Sequence, residues 1–141
     1  MPKGTVIKVS EVKTFFVDKT YSSKMLIDQT NSATKGVQIN QGIISPGSKH
    51  EDHYHNPPYD EVYLIVSGEA MVRLDGVEYD LTSGDAVHIP GGTMHAIANK
   101  SDTEDLVIFT VWSQHPEPGA NPVYDLRLAQ WGKSYKTIHE E

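Results

Sequence analysis

Between residues 37 and 112 the chain is a succession of short runs rich in β-branched and aromatic residues. The runs recur about every 8–12 residues and are bounded by Gly, Pro, Asn or Asp, which is typical of an all-β sandwich or barrel. Helical periodicity is weak in this region. The predicted strands cover residues 5–9, 24–27, 37–44, 61–66, 70–74, 77–81, 86–89, 94–99 and 106–112.

The turns between these runs contain the residues that tight turns require. Asp75-Gly76 separates two alternating runs and therefore predicts a β-hairpin. Two further turns, at residues 83–85 and 90–92, contain glycines that accept positive φ. We expect antiparallel pairing between strands that follow one another along the chain.

The size and charge of the chain restrict its function classes. A length of 141 residues fits one domain over residues 1–141. The formal net charge is −7, so no basic field is available to attract nucleic acid or an anionic membrane surface. We expect neither nucleic acid nor membrane as a partner.

No segment of the sequence resembles a membrane span or a secretion signal. The longest apolar run, residues 106–112, is far shorter than the roughly 20 residues that span a bilayer. The first residues lack the apolar core and cleavage site of a signal peptide, so we expect a cytoplasmic protein. Cysteine is absent, and any bound metal must therefore have nitrogen and oxygen ligands.

The last part of the chain has a different character. Residues 113–122 contain three prolines, a composition that favours an extended connector. In the tail over residues 123–141, Tyr124, Leu128 and Trp131 are spaced as in a short amphipathic helix. The alternative is an irregular segment lying over the barrel. Either form would suit a contact in a homodimer, which is the expected oligomer.

Three histidines and one carboxylate form a candidate metal site. His53 and His55 are separated by one residue, so in a strand both imidazoles point to the same face. Glu61 opens the next run, and His95 begins a later one. Three imidazoles and a carboxylate suit one divalent transition metal, Mn or Fe first and Ni, Co or Zn as alternatives. The competing interpretation is that these are ordinary surface or hydrogen-bonded histidines.

The stretch from Gly47 to Gly68 resembles the first sequence motif of the cupin superfamily. Five residues separate Gly47 from His53, and six separate Glu61 from Gly68, as in that motif. One departure is that five residues separate His55 from Glu61, where the family has three or four. The extra residue makes Glu61 the least certain of the ligands.

The second cupin motif is matched without departure. It is a glycine at position 84 followed, at the family's spacing, by Pro90, Gly92, His95 and Asn99. The resemblance implies a small single-domain metal-binding cupin, a double-stranded β-helix or jelly-roll barrel over residues 24–112 with a short C-terminal extension over 113–141. It also implies His53, His55, Glu61 and His95 as metal ligands.

Four other residues near the motifs have side chains suited to catalysis, metal binding or ion pairing. Tyr63 shares the face of Glu61 and is the one candidate catalytic residue, as a general acid or base or as a hydrogen-bond donor to substrate; core packing is the alternative. Three interpretations of His50 are open: a fifth metal ligand, a proton shuttle, or a solvated loop residue. His88 is interpreted as structural. Arg73 alternates with apolar neighbours and is expected to face outward.

The resemblance to cupins leaves the reaction open. The first hypothesis is a metal-dependent enzyme acting on a small oxygenated organic substrate, either a dioxygenase or a non-redox isomerase or cyclase. The second is a non-catalytic cupin that binds or senses a small molecule. The scarcity of basic residues in the motifs argues against a sugar-phosphate substrate.

Overall fold

The computed structural model describes residues 4–28, 31–34, 36–49, 52 and 60–112. In this part of the chain a short 3₁₀ turn, Val9–Glu11, precedes nine strands. The strands are β1 Phe15–Phe16, β2 Tyr21–Ile27, β3 Gln38–Ile44, β4 Glu61–Ser67, β5 Ala70–Leu74, β6 Val77–Leu81, β7 Ala86–Ile89, β8 His95–Asn99 and β9 Leu106–Trp112. No helix in the described ranges is long and apolar enough to cross a membrane. The predicted all-β class is confirmed.

The strands form two antiparallel sheets that share one core. The large sheet has the order β1-β2-β3-β9-β4-β7, and the small sheet has the order β6-β5-β8. The main cluster of buried apolar residues contains Ile44 and Ile108 from the large sheet together with Val72 and Ile97 from the small one. The two sheets therefore face each other across a common interior, as in a jelly-roll barrel.

Strand pairing follows the chain order in only part of the fold. The Asp75-Gly76 hairpin joins β5 to β6 as predicted, with φ of 46° and 85° at its two central residues, which suits a type I′ turn. Sequential pairing also holds for β1 with β2 and for β2 with β3. It is wrong for the remaining strands, because β9 lies between β3 and β4, β7 lies beside β4, and β8 lies beside β5. Closing two sheets around one interior brings strands from distant parts of the chain to adjacent positions.

The strand predicted at residues 5–9 is also wrong. Val6 is 85% exposed, and the chain then makes a 3₁₀ turn in which the Val12 N–H donates to the Val9 carbonyl at 3.2 Å. Alternation of apolar residues creates a strand only where a neighbouring edge is available to pair with it. The edge of the large sheet is instead occupied by β1, in which Phe15 pairs with Ser23.

Inward-facing side chains of β3, β9 and β4 lie in four rows across the large sheet. From one end of the barrel to the other the rows are Gln38, Trp112 and Glu61; Asn40, Thr110 and Tyr63; Gly42, Ile108 and Ile65; and Ile44 with Leu106. We call the first two the polar rows and the last two the apolar rows. The four branched residues of the apolar rows are at most 1% exposed, and each contributes roughly 1.5–3 kcal/mol by burial. The apolar rows stabilise the barrel, and the polar rows contain the inward-facing polar side chains of these three strands.

Asn99, the last residue of the second motif, ties the two sheets together. Its Nδ2 donates to the Ile44 carbonyl of the large sheet at 3.0 Å and to the Glu104 carbonyl at 2.8 Å. Its Oδ1 accepts from the Ser101 N–H at 2.9 Å. Because Asn99 is buried, these three bonds satisfy groups that have little access to water. The motif asparagine is thus a structural residue of the barrel.

Candidate metal centre

Glu61 and His95 meet inside the barrel at its polar end. Glu61 begins β4 of the large sheet, and His95 begins β8 of the small sheet. Glu61 is 5% exposed and His95 is fully buried. Their Oε1 and Nε2 atoms are 3.6 Å apart. The fold therefore brings together two of the four predicted ligands, one from each sheet.

The orientation of the His95 ring is fixed by a backbone carbonyl. Its Nδ1 lies 2.9 Å from the carbonyl oxygen of Thr93. A carbonyl only accepts hydrogen bonds, so the neutral ring carries its proton on Nδ1 and presents the Nε2 lone pair toward Glu61. Metal-binding histidines are held in this way, with the distal N–H donated to a carbonyl or carboxylate.

The electrostatics of this pair fit a cation. A neutral imidazole nitrogen and a carboxylate oxygen are both acceptors, so a proton or a cation between them is required for attraction. Burial disfavours the charged form of His95, but the Glu61 carboxylate and the Thr93 carbonyl outweigh burial and raise its pKa. A divalent metal ion would satisfy both acceptors and offset the cost of a buried carboxylate. The donor chemistry of Glu61 and His95 therefore suits a metal.

The extra residue before Glu61 does not displace it from the interior. Glu61 pairs with Trp112 of β9 and Ile89 of β7, in register with the rest of β4. Asp60, directly before it, accepts a hydrogen bond from the Gly91 N–H at 3.3 Å, which joins the start of β4 to the turn of the second motif. Glu61 therefore faces inward despite the extra residue.

The other predicted ligands, His53 and His55, lie outside the described residues, as do His50 and the tail over residues 113–141. Within the described ranges no group of three or more His, Cys, Asp or Glu side chains is close enough to hold a metal. The visible part of the predicted site is therefore the pair formed by Glu61 and His95.

Tyr63 is the neighbour of this pair in the second polar row. Its ring meets the His95 ring edge-on, with ring centroids 6.1 Å apart and ring planes at 67°. Burial, then the charge of Glu61, then Tyr21 raise the pKa of Tyr63 well above its ordinary value near 10. The phenol keeps its proton at neutral pH. Its chemistry is that of a hydrogen-bond donor or general acid, and a role as general base is disfavoured.

His88 and Arg73 both face away from the metal centre. His88 lies on the outer side of β7, with Nε2 3.3 Å from the Asp60 carboxylate. Arg73 lies on the outer side of β5, as expected, and its Nε and Nη2 contact the two oxygens of Asp52 at 3.1 and 3.0 Å.

The contact between Arg73 and Asp52 was missed in the sequence. Asp52 directly precedes His53 in the chain. A two-point guanidinium–carboxylate contact constrains both position and orientation. It holds Asp52 against the small sheet. The alternation around Arg73 indicates its outward direction, but nothing in the sequence identifies Asp52 as its partner.

A two-sheet barrel with a buried His–Glu pair at one end defines the class of this protein. The model of the family described as Cupin domain matches residues 41–112, which include both motifs. The chain belongs to the cupin family.

Several relatives are similar over large parts of the chain. The dimethylsulfoniopropionate lyase DddW of Ruegeria pomeroyi is 33% identical over 81 residues, 55% of this chain and 52% of DddW, so the match spans about half the length of that relative. Polyketide synthase CurC of Streptomyces cyaneus is 31% identical over 120 residues, 83% of this chain and 76% of CurC. The solved structure of KdgF from Halomonas sp. matches with a TM-score of 0.72 at 21% identity, covering 82% of this chain and 97% of KdgF.

These comparisons bear on fold and function to different extents. The likeness to KdgF shows the fold. The relatives include proteins named as enzymes that act on small organic molecules, of which DddW is one. The cupin fold hosts many chemistries, so the reaction of this chain has to be argued from its own site.

Proposed function

We propose that this protein is a metal-dependent enzyme that carries out a proton transfer on a small oxygenated organic molecule, in the manner of a lyase, isomerase or cyclase. The observation that carries the proposal is the buried pair of Glu61 and His95 with Tyr63 beside it. Buried acceptor atoms from two sheets converge there, and a neutral phenol lies beside them.

The proposed metal ligands are His53, His55, Glu61 and His95. The Thr93 carbonyl supports the role of His95, because it fixes the tautomer in which Nε2 carries the lone pair that would coordinate a metal. The inward register of Glu61 supports its role despite the additional residue before β4. A set of three imidazoles and one carboxylate suits one divalent transition metal per chain, Mn or Fe before Ni, Co or Zn.

When bound, such a metal supplies Lewis acidity, which polarises a carbonyl or hydroxyl oxygen of a chelating substrate. The protein's own groups donate the hydrogen bond or proton and exclude water. The Tyr63 hydroxyl is held protonated near the site and donates a hydrogen bond or a proton to a substrate oxygen. The buried rows of the barrel exclude bulk water, which strengthens each polar contact in the interior.

The names of the relatives support this class of reaction. DddW is named as a lyase and CurC as a polyketide synthase, and both names concern small oxygenated molecules. For this chain we infer a small-molecule substrate of the same general chemistry, turned over in a cytoplasmic homodimer. A dioxygenase is the alternative reaction, and consumption of O₂ during turnover would identify it.

Elemental analysis tests the metal site directly. The purified wild-type protein is expected to contain about one Mn, Fe, Ni, Co or Zn per chain, consistent with one four-ligand site. His95→Ala and Glu61→Gln are expected to lose most of this metal. His88→Ala is the matched control, because His88 lies on the outer side of β7, and it is expected to keep the metal.

Two results would contradict the proposal. Wild-type protein that remains metal-free after dialysis against each candidate ion would point to a non-catalytic binding or sensory module. Full retention of metal in Glu61→Gln would remove Glu61 from the ligand set.

A further inference from the structure

Two amide side chains in β3 face the barrel interior. Gln38 and Asn40 are alternate residues of the strand, so both project to the same side of the large sheet. Gln38 is 4% exposed. Among the described residues, Gln38 Nε2 and Asn40 Oδ1 are buried atoms with no hydrogen-bond partner. Neither amide takes part in the proposed metal site.

Both amides belong to the polar rows that contain the metal centre. Gln38 shares its row with Glu61, and Asn40 shares its row with Tyr63; in each case β9 lies between. Two inter-strand spacings separate the backbones of β3 and β4, about 10 Å. Trp112 and Thr110 of β9 lie between them in their rows. The spacing is about the length of one ring with a polar group at each end.

An unsatisfied buried amide is costly, and native proteins retain few of them without a ligand, water or ion to complete the bonding. A primary amide has both donors and an acceptor, so its complement is a hydroxyl or carbonyl group. The polar rows of the large sheet contain no lysine or arginine, and the Arg73 side chain is engaged with Asp52 outside the barrel. The described interior at this position therefore suits a neutral group better than a phosphate or carboxylate.

We infer that Gln38 and Asn40 form a subsite for the neutral, hydroxyl- or carbonyl-bearing far end of a ring-sized substrate whose near end lies at the metal centre. This inference rests on the proposed function and deepens it, because it specifies which kind of substrate the barrel accepts. Substrates with an apolar or anionic far end are disfavoured by the same two amides.

A matched pair of probes separates the subsite from the metal centre. Kojic acid is a metal-chelating hydroxypyranone that carries a hydroxymethyl group on the opposite side of its ring. Allomaltol is the same molecule with a methyl group in that position. Both probes are titrated calorimetrically into the full-length protein loaded with Zn²⁺. Kojic acid is expected to bind about tenfold more tightly, because only its hydroxyl completes the bonding of the buried amides.

Substitutions assign this preference to the two residues. In Gln38→Leu and Asn40→Leu the preference for kojic acid is expected to disappear, while allomaltol binds at least as tightly as it does to wild type. Gln41→Leu is the matched control in the same strand, since Gln41 alternates with the inward residues and pairs with Phe109 on the outer side. It is expected to keep the preference. Replacing an unsatisfied buried amide by an apolar side chain is expected to leave the melting temperature unchanged or raised.

Each contrary result has a distinct meaning. Equal binding of the two probes to wild type overturns the subsite and leaves the metal centre intact. Failure of both probes to bind Zn²⁺-loaded protein overturns the proposed function and this inference with it. If the leucine variants lower the melting temperature and leave the probe preference unchanged, the amides hold a structural water only, and the subsite is refuted.

Discussion

Raising the pH of the metal-free protein above 10 is expected to destabilise it through two buried phenols. Burial, followed by the charge of Glu61, raises the pKa of Tyr21, and the same causes raise the pKa of Tyr63. In the unfolded chain both phenols ionise near pH 10. Above that pH the unfolded state binds fewer protons than the folded state, so the free energy of unfolding falls as the pH rises.

The size of this effect follows from proton linkage. Each tyrosine that stays protonated in the folded state costs about 1.4 kcal/mol of stability between about pH 9 and pH 11, so the two together cost roughly 2.7 kcal/mol. Typical domains have about 5–15 kcal/mol in total, so the loss is readily measurable. Urea unfolding at several pH values in the presence of a chelator measures it. Tyr21→Phe and Tyr63→Phe are each expected to remove about half of the pH-dependent loss.

A direct titration provides the decisive check on Tyr63. Tyrosinate absorbance of the folded protein is followed in wild type and in Tyr63→Phe, and the difference reports Tyr63 alone. We expect no ionisation of Tyr63 until the protein unfolds. A folded-state midpoint near pH 10 would refute the reasoning, because the phenol would then ionise as easily as in water and the case against a general base would be lost.

Three further predictions concern the parts of the fold that support the site. Arg73→Ala is expected to lower Zn²⁺ affinity in calorimetry, because the contact that holds Asp52, the residue before His53, is lost. The charge-swapped double variant Asp52→Arg/Arg73→Asp is expected to restore part of the affinity. Unchanged affinity in Arg73→Ala would argue against a role of this contact in metal binding. Asn99→Ala is expected to lose roughly 3 kcal/mol in urea unfolding, because one buried and two partly buried hydrogen bonds to the backbone are lost. A loss below about 1 kcal/mol would show that water replaces the amide. Deletion of residues 123–141 is expected to convert a dimer into a monomer on size-exclusion chromatography, and an unchanged dimer would exclude the tail from the interface.

Local patterns in the sequence predict most strands but not their neighbours. The run at residues 106–112 is recognisable as a strand, and the structure has β9 there. Its position between β3 and β4 depends on contacts far apart in sequence, which short-range alternation does not encode. The strand predicted at residues 5–9 fails for a different reason. The alternating pattern is present there, but β1 occupies the edge of the large sheet with which such a strand would pair.

The two cupin motifs predict more than periodicity alone, because they mark positions that the fold requires. Gly68 illustrates this: its φ is 97°, and a Cβ atom there would lie 2.8 Å from the Asp105 carbonyl oxygen, so a larger residue does not fit. Motif spacing also leads to Glu61 and His95. Gln38 and Asn40 carry no comparable signal, because an amide in a strand becomes notable only when its face and its missing partners are known.

The division of the barrel interior into polar and apolar rows has a consequence for how related proteins change their substrates. The apolar rows, with Ile44 and Leu106 farthest from Glu61, supply buried apolar side chains to the core, which Tyr63 joins from the second polar row, whereas Gln38 and Asn40 are not part of that cluster. On the proposed subsite, substitutions at Gln38 or Asn40 would alter what the barrel accepts with little effect on the folding free energy. A family with this arrangement can acquire new substrates through substitutions in the polar rows while the apolar rows stay the same.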